Sequence, residues 1–270
     1  MTLGRHLSVA TESEGSFLGV VVAGGEGVAF GGHLVAHSIT SAAHAVSTGR
    51  HPDSVHTRFL RPASPDLDVR YDVEITKSGR SFDNLRVDAW QSGLLVAATT
   101  ISFTTFEEGF DYQEAMPEVA GPDDIEPSTF VPPGTEASVR AHFDIRYAEK
   151  SSGTSTSGPT QIMWLRAREP LGDDPSAHAA AVAWFSDLSL PWTAELPYEG
   201  AALARAGASL DHVMWFHRPF RADGWLLFTQ RNPVYAHSRA LTYGHFYSAD
   251  GLLVATAAQE TLLRRTPIGP

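Results

Sequence analysis

The sequence predicts an α+β protein made of two related halves in tandem, each an antiparallel sheet packed on a helix. Three observations carry this expectation. Gly93-Leu94-Leu95-Val96-Ala97 recurs as Gly251-Leu252-Leu253-Val254-Ala255, 158 residues further on. Phe59-Leu60-Arg61-Pro62 recurs as Phe216-His217-Arg218-Pro219, 157 residues further on. Each half also runs in the same order, a helical stretch followed by strands. Two separate matches at nearly one spacing mark an internal repeat.

The first helix is read from Leu34, Val35, Ile39, Ala42, Ala43 and Val46, which recur at helical spacing behind Gly31-Gly32. Leu85, Val87 and Ala89 then alternate with Arg86, Asp88 and Trp90, the period of two that defines a strand. Gln91-Ser92-Gly93 turns the chain, and Leu94 to Phe106 returns. Residues 109–136 are rich in prolines and acids and read as a surface linker between an N-terminal half (1–108) and a C-terminal half (137–270). Ser151 to Gly158 reads as a flexible loop. The second helix opens at Asp173-Asp174-Pro175, an acidic cap followed by proline at the first helical position, and continues through an alanine-rich run from Ala177 to Phe185. Leu226 to Gln230, Ala240 to Tyr247 and Leu252 to Leu263 repeat the strand pattern, with Asp250 in the matching turn. Such hairpins imply antiparallel sheet with a helix on one face.

Composition narrows the function. The net charge of −11 argues against broad nucleic-acid binding, which needs basic surface. Lys77 and Lys150 are the only lysines, so arginine would have to hold any ligand phosphate. Absence of cysteine excludes disulfides, thiolate catalysis and Cys-ligated metals. No apolar run reaches the ~18 residues of a membrane span, and the first residues lack the apolar core of a signal peptide, so a cytoplasmic location is the default expectation. His51, His56, His212 and His217 form no HExxH or other paired metal spacing and are read as packed strand histidines. No GxSxG elbow is present. No cofactor is expected.

FGGHLVAHSI, HTRFLRP, GRSF, SLDHVMWFHRPF and GLLVATAAQETLLR occur in this order. Together they resemble the double-hotdog acyl-CoA thioesterases of the bacterial thioesterase II type, from about Phe30 to Arg264. The resemblance implies a tandem hotdog with two antiparallel sheets, each wrapped around a central helix. It implies hydrolysis of a fatty acyl-CoA by a water held between an Asp, a Thr and a Gln. The Asp ends an alanine-rich helix, here Asp187; the Thr position is Ser209, which keeps the hydroxyl; the Gln is Gln259 of the Gln259-Glu260 pair. His33 stands where the family has Gln in F-G-G-Q. By resemblance, too, exposed sheet faces pair, so a dimer or larger homo-oligomer is expected.

Those residues suit the chemistry. Direct attack by water needs a proton acceptor, groups that aim the water, and donors for the oxyanion. Asp187 would be the acceptor and, if its helix ends there, would face the negative end of the helix dipole. Ser209 would orient the water. Gln259 shares a strand face with Ala255 and Ala257, and its repeat mate is the aliphatic Ile101. Gly31 and Gly32 would supply backbone N–H groups at a helix start, with His33 beside them in the substrate site. The second half would then carry the water-activating groups and the first half the helix start, giving one site per chain. Two rivals remain open: a non-catalytic acyl-CoA binding protein, and an enoyl-CoA hydratase using Asp173 and His178, which are five residues apart.

Overall fold

The computed structural model describes residues 1–25, 27–132, 135–153, 158–198 and 204–266. The N-terminal half contains α1 (Leu3–Leu7), β1 (Ala10–Ser13), β2 (Ser16–Gly19), a small ribbon of β3 (Ala23–Gly25) and β4 (Val28–Ala29), α2 (Gly31–Ala43), β5 (His51–Phe59), β6 (Val69–Ser78), β7 (Phe82–Gln91) and β8 (Leu94–Thr104). After a segment with no strand among its described residues come α3 (Ala137–Arg140), β9 (Phe143–Ser151), β10 (Thr160–Ala167), α4 (Pro175–Glu195), β11 (Ala204–Ser209), β12 (Asp211–Phe216), β13 (Leu226–Ala236), β14 (Arg239–Ser248) and β15 (Leu253–Thr266).

The two expected sheets are one. The strands run β1-β2-β6-β7-β8-β5-β12-β15-β14-β13-β10-β9, with β11 also on β15, in a single 13-stranded sheet. Read from its centre, the order is the same outward in both directions, so the halves are related by a pseudo-twofold. β5 and β12 are each the last strand of their own half, and an edge strand carries a row of unpaired backbone groups. Pairing the two edges antiparallel satisfies both rows and fuses the sheets. In that pairing His56 lies opposite Val213, positions that are themselves 157 residues apart, so the pseudo-axis passes through this pair.

Register confirms the repeat at single-residue level. Pro52 faces Phe103 and Ser54 faces Ser102 across a one-residue irregularity. Ser209 faces Thr261 and Val213 faces Ala258, with the equivalent step at Leu210, between β11 and β12. Pro52 is thus the mate of Ser209, and Ile101 the mate of Gln259.

Both long helices lie on the inner face of the sheet and pack against each other. Their burial has no single stripe: α2 buries Leu34, Val35, Ala36 and Ile39 but also His33, His37, Ser38 and Ser41. The Ser38 hydroxyl is satisfied within the helix, donating to the Leu34 carbonyl at 2.8 Å. The outer face of β10, β13 and β14 is covered as well. Trp164, Leu227 and Tyr247 pack there against Met116, Val119 and Ile125 of the inter-half segment. That segment is tied down: the Trp164 indole donates to the Ala120 carbonyl at 2.9 Å, and Gln113 bonds the Gly251 carbonyl and the Leu253 N–H. Of the predicted loop 151–158, residues 154–157 lie outside the described residues.

α2 begins at Gly31, so the glycine pair opens the helix as expected. The expected end of the second helix is corrected. α4 does not end at Asp187; it continues to Glu195 through Pro191. Leu188, Leu190 and Trp192 are buried, and that apolar surface outweighs the one backbone bond a proline removes. The missing donor belongs to a chosen place, because Pro191 is the residue whose N–H would otherwise reach the Asp187 carbonyl.

Candidate active site

Asp187 lies mid-way along α4 and is almost wholly buried, at 5% exposure. Gln259 lies on β15 among Ala255, Ala257, Thr261 and Leu263, the inward-facing residues of that strand. The two alanines leave room for its longer side chain. Ser209 ends β11, one residue before the step to β12. The three predicted residues meet. Gln259 Nε2 donates to Asp187 Oδ1 at 2.8 Å and to Ser209 Oγ at 2.5 Å, and the Ser209 hydroxyl donates to Asp187 Oδ1 at 3.2 Å.

All these bonds use Oδ1 or Oγ. The second carboxylate oxygen, Oδ2, faces the start of α2: a Cβ added to Gly31 would stand 2.9 Å from it, and 3.1 Å from the Phe59 ring. Phe30 precedes the helix without a side-chain cap. The first-turn N–H groups of Gly31 and Gly32 therefore have no intrahelical acceptor, as at any helix start. An uncapped helix N-terminus of one half thus meets the carboxylate of the other.

Gly32 and His33 do something else. A Cβ on Gly32 would stand 2.8 Å from the Trp184 carbonyl, so this glycine lets α2 and α4 come together. The expectation of a substrate-facing His33 is corrected. The ring is fully buried and both of its nitrogens are taken: Nδ1 accepts from the Val22 N–H at 3.1 Å, and Nε2 donates to the His6 carbonyl at 2.6 Å. His37 Nε2 donates to the same carbonyl at 2.7 Å, and its Nδ1 is 3.1 Å from the Tyr71 hydroxyl. Burial pushes both rings down, His33 well below its ordinary range and His37 to about 4. His33 and His37 thereby fasten α1 onto α2 as neutral rings.

Sequence reasoning missed two members of the centre. His212 Nδ1 lies 2.7 Å from Gln259 Oε1, and His212 Nε2 lies 2.9 Å from the Ser186 hydroxyl. An amide oxygen only accepts, so Nδ1 carries the proton and Nε2 accepts from Ser186. Burial pushes the His212 ring down, against the upward pull of Asp187, so it too stands neutral near pH 7. Ser186 and His212 are each adjacent to a predicted region, in Ser186-Asp187 and Asp211-His212, but nothing in the spacing tells that a strand histidine points inward.

Asp173 and His178 do not form a pair. Asp173 is solvent-exposed and bonds Arg221 at 2.9 Å. His178 is buried, with Nε2 3.1 Å from the Gly172 carbonyl and Nδ1 accepting from the Ala222 N–H at 3.1 Å. Among the described residues, no group of three or more His, Asp or Glu is arranged to hold a metal ion, and no helix is long and apolar enough to cross a membrane.

Two hotdog halves that share one sheet, with a polar centre buried where they meet, define a double-hotdog protein. Comparison with known proteins narrows the class. Residues 22–104 match the acyl-CoA thioesterase N-terminal domain, and residues 122–263 match the acyl-CoA thioesterase C-terminal domain. The chain is 33% identical to acyl-coenzyme A thioesterase 8 of Homo sapiens, over 88% of this chain and 81% of that protein. It is 30% identical to acyl-CoA thioesterase 2 of Haemophilus influenzae, over 87% of each. The solved structure of acyl-CoA thioesterase II TesB2 from Mycobacterium marinum superposes with a TM-score of 0.86 at 33% identity, covering 98% of this chain and 99% of that one. The chain belongs to the acyl-CoA thioesterase family, and it is an enzyme that hydrolyses thioesters.

Proposed function

We propose that the enzyme hydrolyses fatty acyl-CoA to a fatty acid and free CoA, using a water activated by Asp187 and oriented by Ser209 and Gln259. The observation that carries this reading is the double donation of Gln259 Nε2, to Asp187 Oδ1 at 2.8 Å and Ser209 Oγ at 2.5 Å, beside an uncapped helix start. These bonds fix the carboxylate with its other oxygen toward Gly31.

A water bonded to Asp187 Oδ2 attacks the thioester carbon. As the C–O bond forms, the water proton passes to the carboxylate and negative charge gathers on the carbonyl oxygen. The Gly31 and Gly32 N–H groups and the positive end of α2 stabilise that charge. The carbon–sulfur bond then breaks, and the proton returns from Asp187 to the CoA sulfur. The burial of Asp187 strengthens each of these interactions by keeping bulk water away.

The test is release of free thiol from acyl-CoAs of graded chain length, by the natural chain and by Asp187→Asn. Hydrolysis by the natural chain and its loss in the variant, with the fold intact, are expected. Unchanged turnover in Asp187→Asn would remove Asp187 from the chemistry.

A further inference from the structure

The pseudo-twofold maps the polar centre onto a second place in the chain, and a cavity of about 170 Å³ lies there. Its wall contains Pro52, the register mate of Ser209, and Phe216, the mate of Phe59. It also contains Pro175, which opens α4 as Gly31 opens α2. Counted from those first residues, Asp187 corresponds to Ala43; by register, Gln259 corresponds to Ile101. His212 corresponds to Val55 at the Phe59–Phe216 spacing. Every group of the hydrolytic centre is thus replaced by an apolar one, and the space has remained.

The helix start has changed in the same sense. Asp174 caps α4 by accepting from the Ser176 N–H at 2.9 Å, and Pro175 has no N–H to offer. Nothing at this helix start is left for an oxyanion. One replaceable cation stands at the cavity instead. Arg221 is held by both oxygens of Asp223, which is only 12% exposed, and by Asp173 of the cavity wall, so it is already neutralised. Arg218 bonds the carboxylate of Asp111, which is 76% exposed. An ion pair with so exposed a carboxylate is worth only about 0–1 kcal/mol, so another anion can replace it.

From this geometry, and resting on the hydrolytic reading above, we propose that the cavity between Pro52, Pro175, Ala179 and Phe216 is a second, non-hydrolytic site for a short fatty carboxylate, the product class of the reaction. An apolar cavity of roughly 150 Å³ accommodates benzene, so this one takes about six carbons. The charge of a free acid sits at the end of its chain, where Arg218 stands. In an acyl-CoA the acyl head is an uncharged thioester, and the phosphates lie a pantetheine arm away. The carboxylate is therefore the better match.

The experiment is calorimetric titration of the full chain with hexanoate, and separately with a non-hydrolysable hexanoyl-CoA thioether. Hexanoate is expected to bind the natural chain and Asp187→Asn alike, and to bind when the thioether already saturates the protein. Ala179→Phe, which fills the cavity, should abolish that binding while thioester hydrolysis continues. Should Ala179→Phe fail to fold, Phe106→Ala opens the wall from an exposed position and Arg218→Gln removes a cation; each is expected to weaken hexanoate binding about tenfold. Binding that the thioether displaces, or that all three variants leave unchanged, overturns the second site and leaves the hydrolytic reading standing. Absence of hydrolysis with hexanoate binding lost in Ala179→Phe overturns the hydrolytic reading and supports the second site.

Discussion

The imidazole of His212 grips the side-chain amide of Gln259 by its oxygen, at 2.7 Å. An amide has two ends of nearly equal shape and opposite polarity. The Asp187 carboxylate, which only accepts, takes the nitrogen end, and the His212 N–H satisfies the oxygen at the other end, so the Gln259 side chain is held from both sides. The chain of bonds begins at the Ser186 hydroxyl, next to the carboxylate it serves.

Replacing His212 by Phe keeps the ring volume and removes that donor. The buried Gln259 oxygen is then unpaired, which costs about 1–3 kcal/mol of stability. With the amide held from its nitrogen end alone, kcat should fall by about 10- to 100-fold, less than the loss of a direct oxyanion donor at its largest, with KM little changed. His212→Asn, which retains a donor, should recover part of kcat. Steady-state kinetics on both variants, with melting curves, separates positioning from stability.

Asp187→Asn removes the proton acceptor and leaves nearly the same shape. We expect kcat to fall by about 10²- to 10⁴-fold. The melting temperature should stay close to that of the natural chain, read by circular dichroism.

The two neighbouring glycines should behave differently. Gly31→Ala places a methyl group 2.9 Å from Asp187 Oδ2, so turnover suffers first. Gly32→Ala places one 2.8 Å from the backbone of Trp184, which has no side-chain freedom to yield, so stability suffers first, by about 1–3 kcal/mol. Denaturant titration and kcat measured on both variants decide the matter; equal effects on both readouts would contradict the assignment.

Acid should loosen the join between α1 and α2. His33 and His37 are held neutral in the folded chain, with His37 at about 4, while an unfolded histidine titrates near 6.5. Below that value the unfolded chain binds more protons. Stability is therefore complete above about pH 6.5 and is lost as the pH falls toward 4, by up to about 1.4 kcal/mol per pH unit for each proton taken up. His37→Gln should flatten this dependence in urea melts between pH 7 and 4.

Much of this was legible in the sequence because a repeat constrains two places at once. GLLVA and FLRP fixed the register that later equated Gln259 with Ile101, and the unusual Gln on an alanine face pointed to the centre. What was hidden depends on contacts distant in sequence. That the sheets fuse follows from two strand edges meeting, which no local pattern records. The end of α4 at Asp187 rests on the resemblance alone, and no local pattern records that the burial of Leu190 and Trp192 carries the helix on through Pro191. His33 is expected in the substrate site because it stands where the family has Gln in F-G-G-Q, but the carbonyl of His6, 27 residues earlier, claims its ring.

The seam between β5 and β12 sets a timetable. During synthesis, β5 emerges early, while the strand that covers its open side, Asp211–Phe216, follows more than 150 residues later. Until then the nascent first half has a bare nine-residue border, able to recruit any extended chain nearby. Ribosome pausing or truncation before residue 211 should therefore yield sticky fragments, and only the complete polypeptide can close its own sheet.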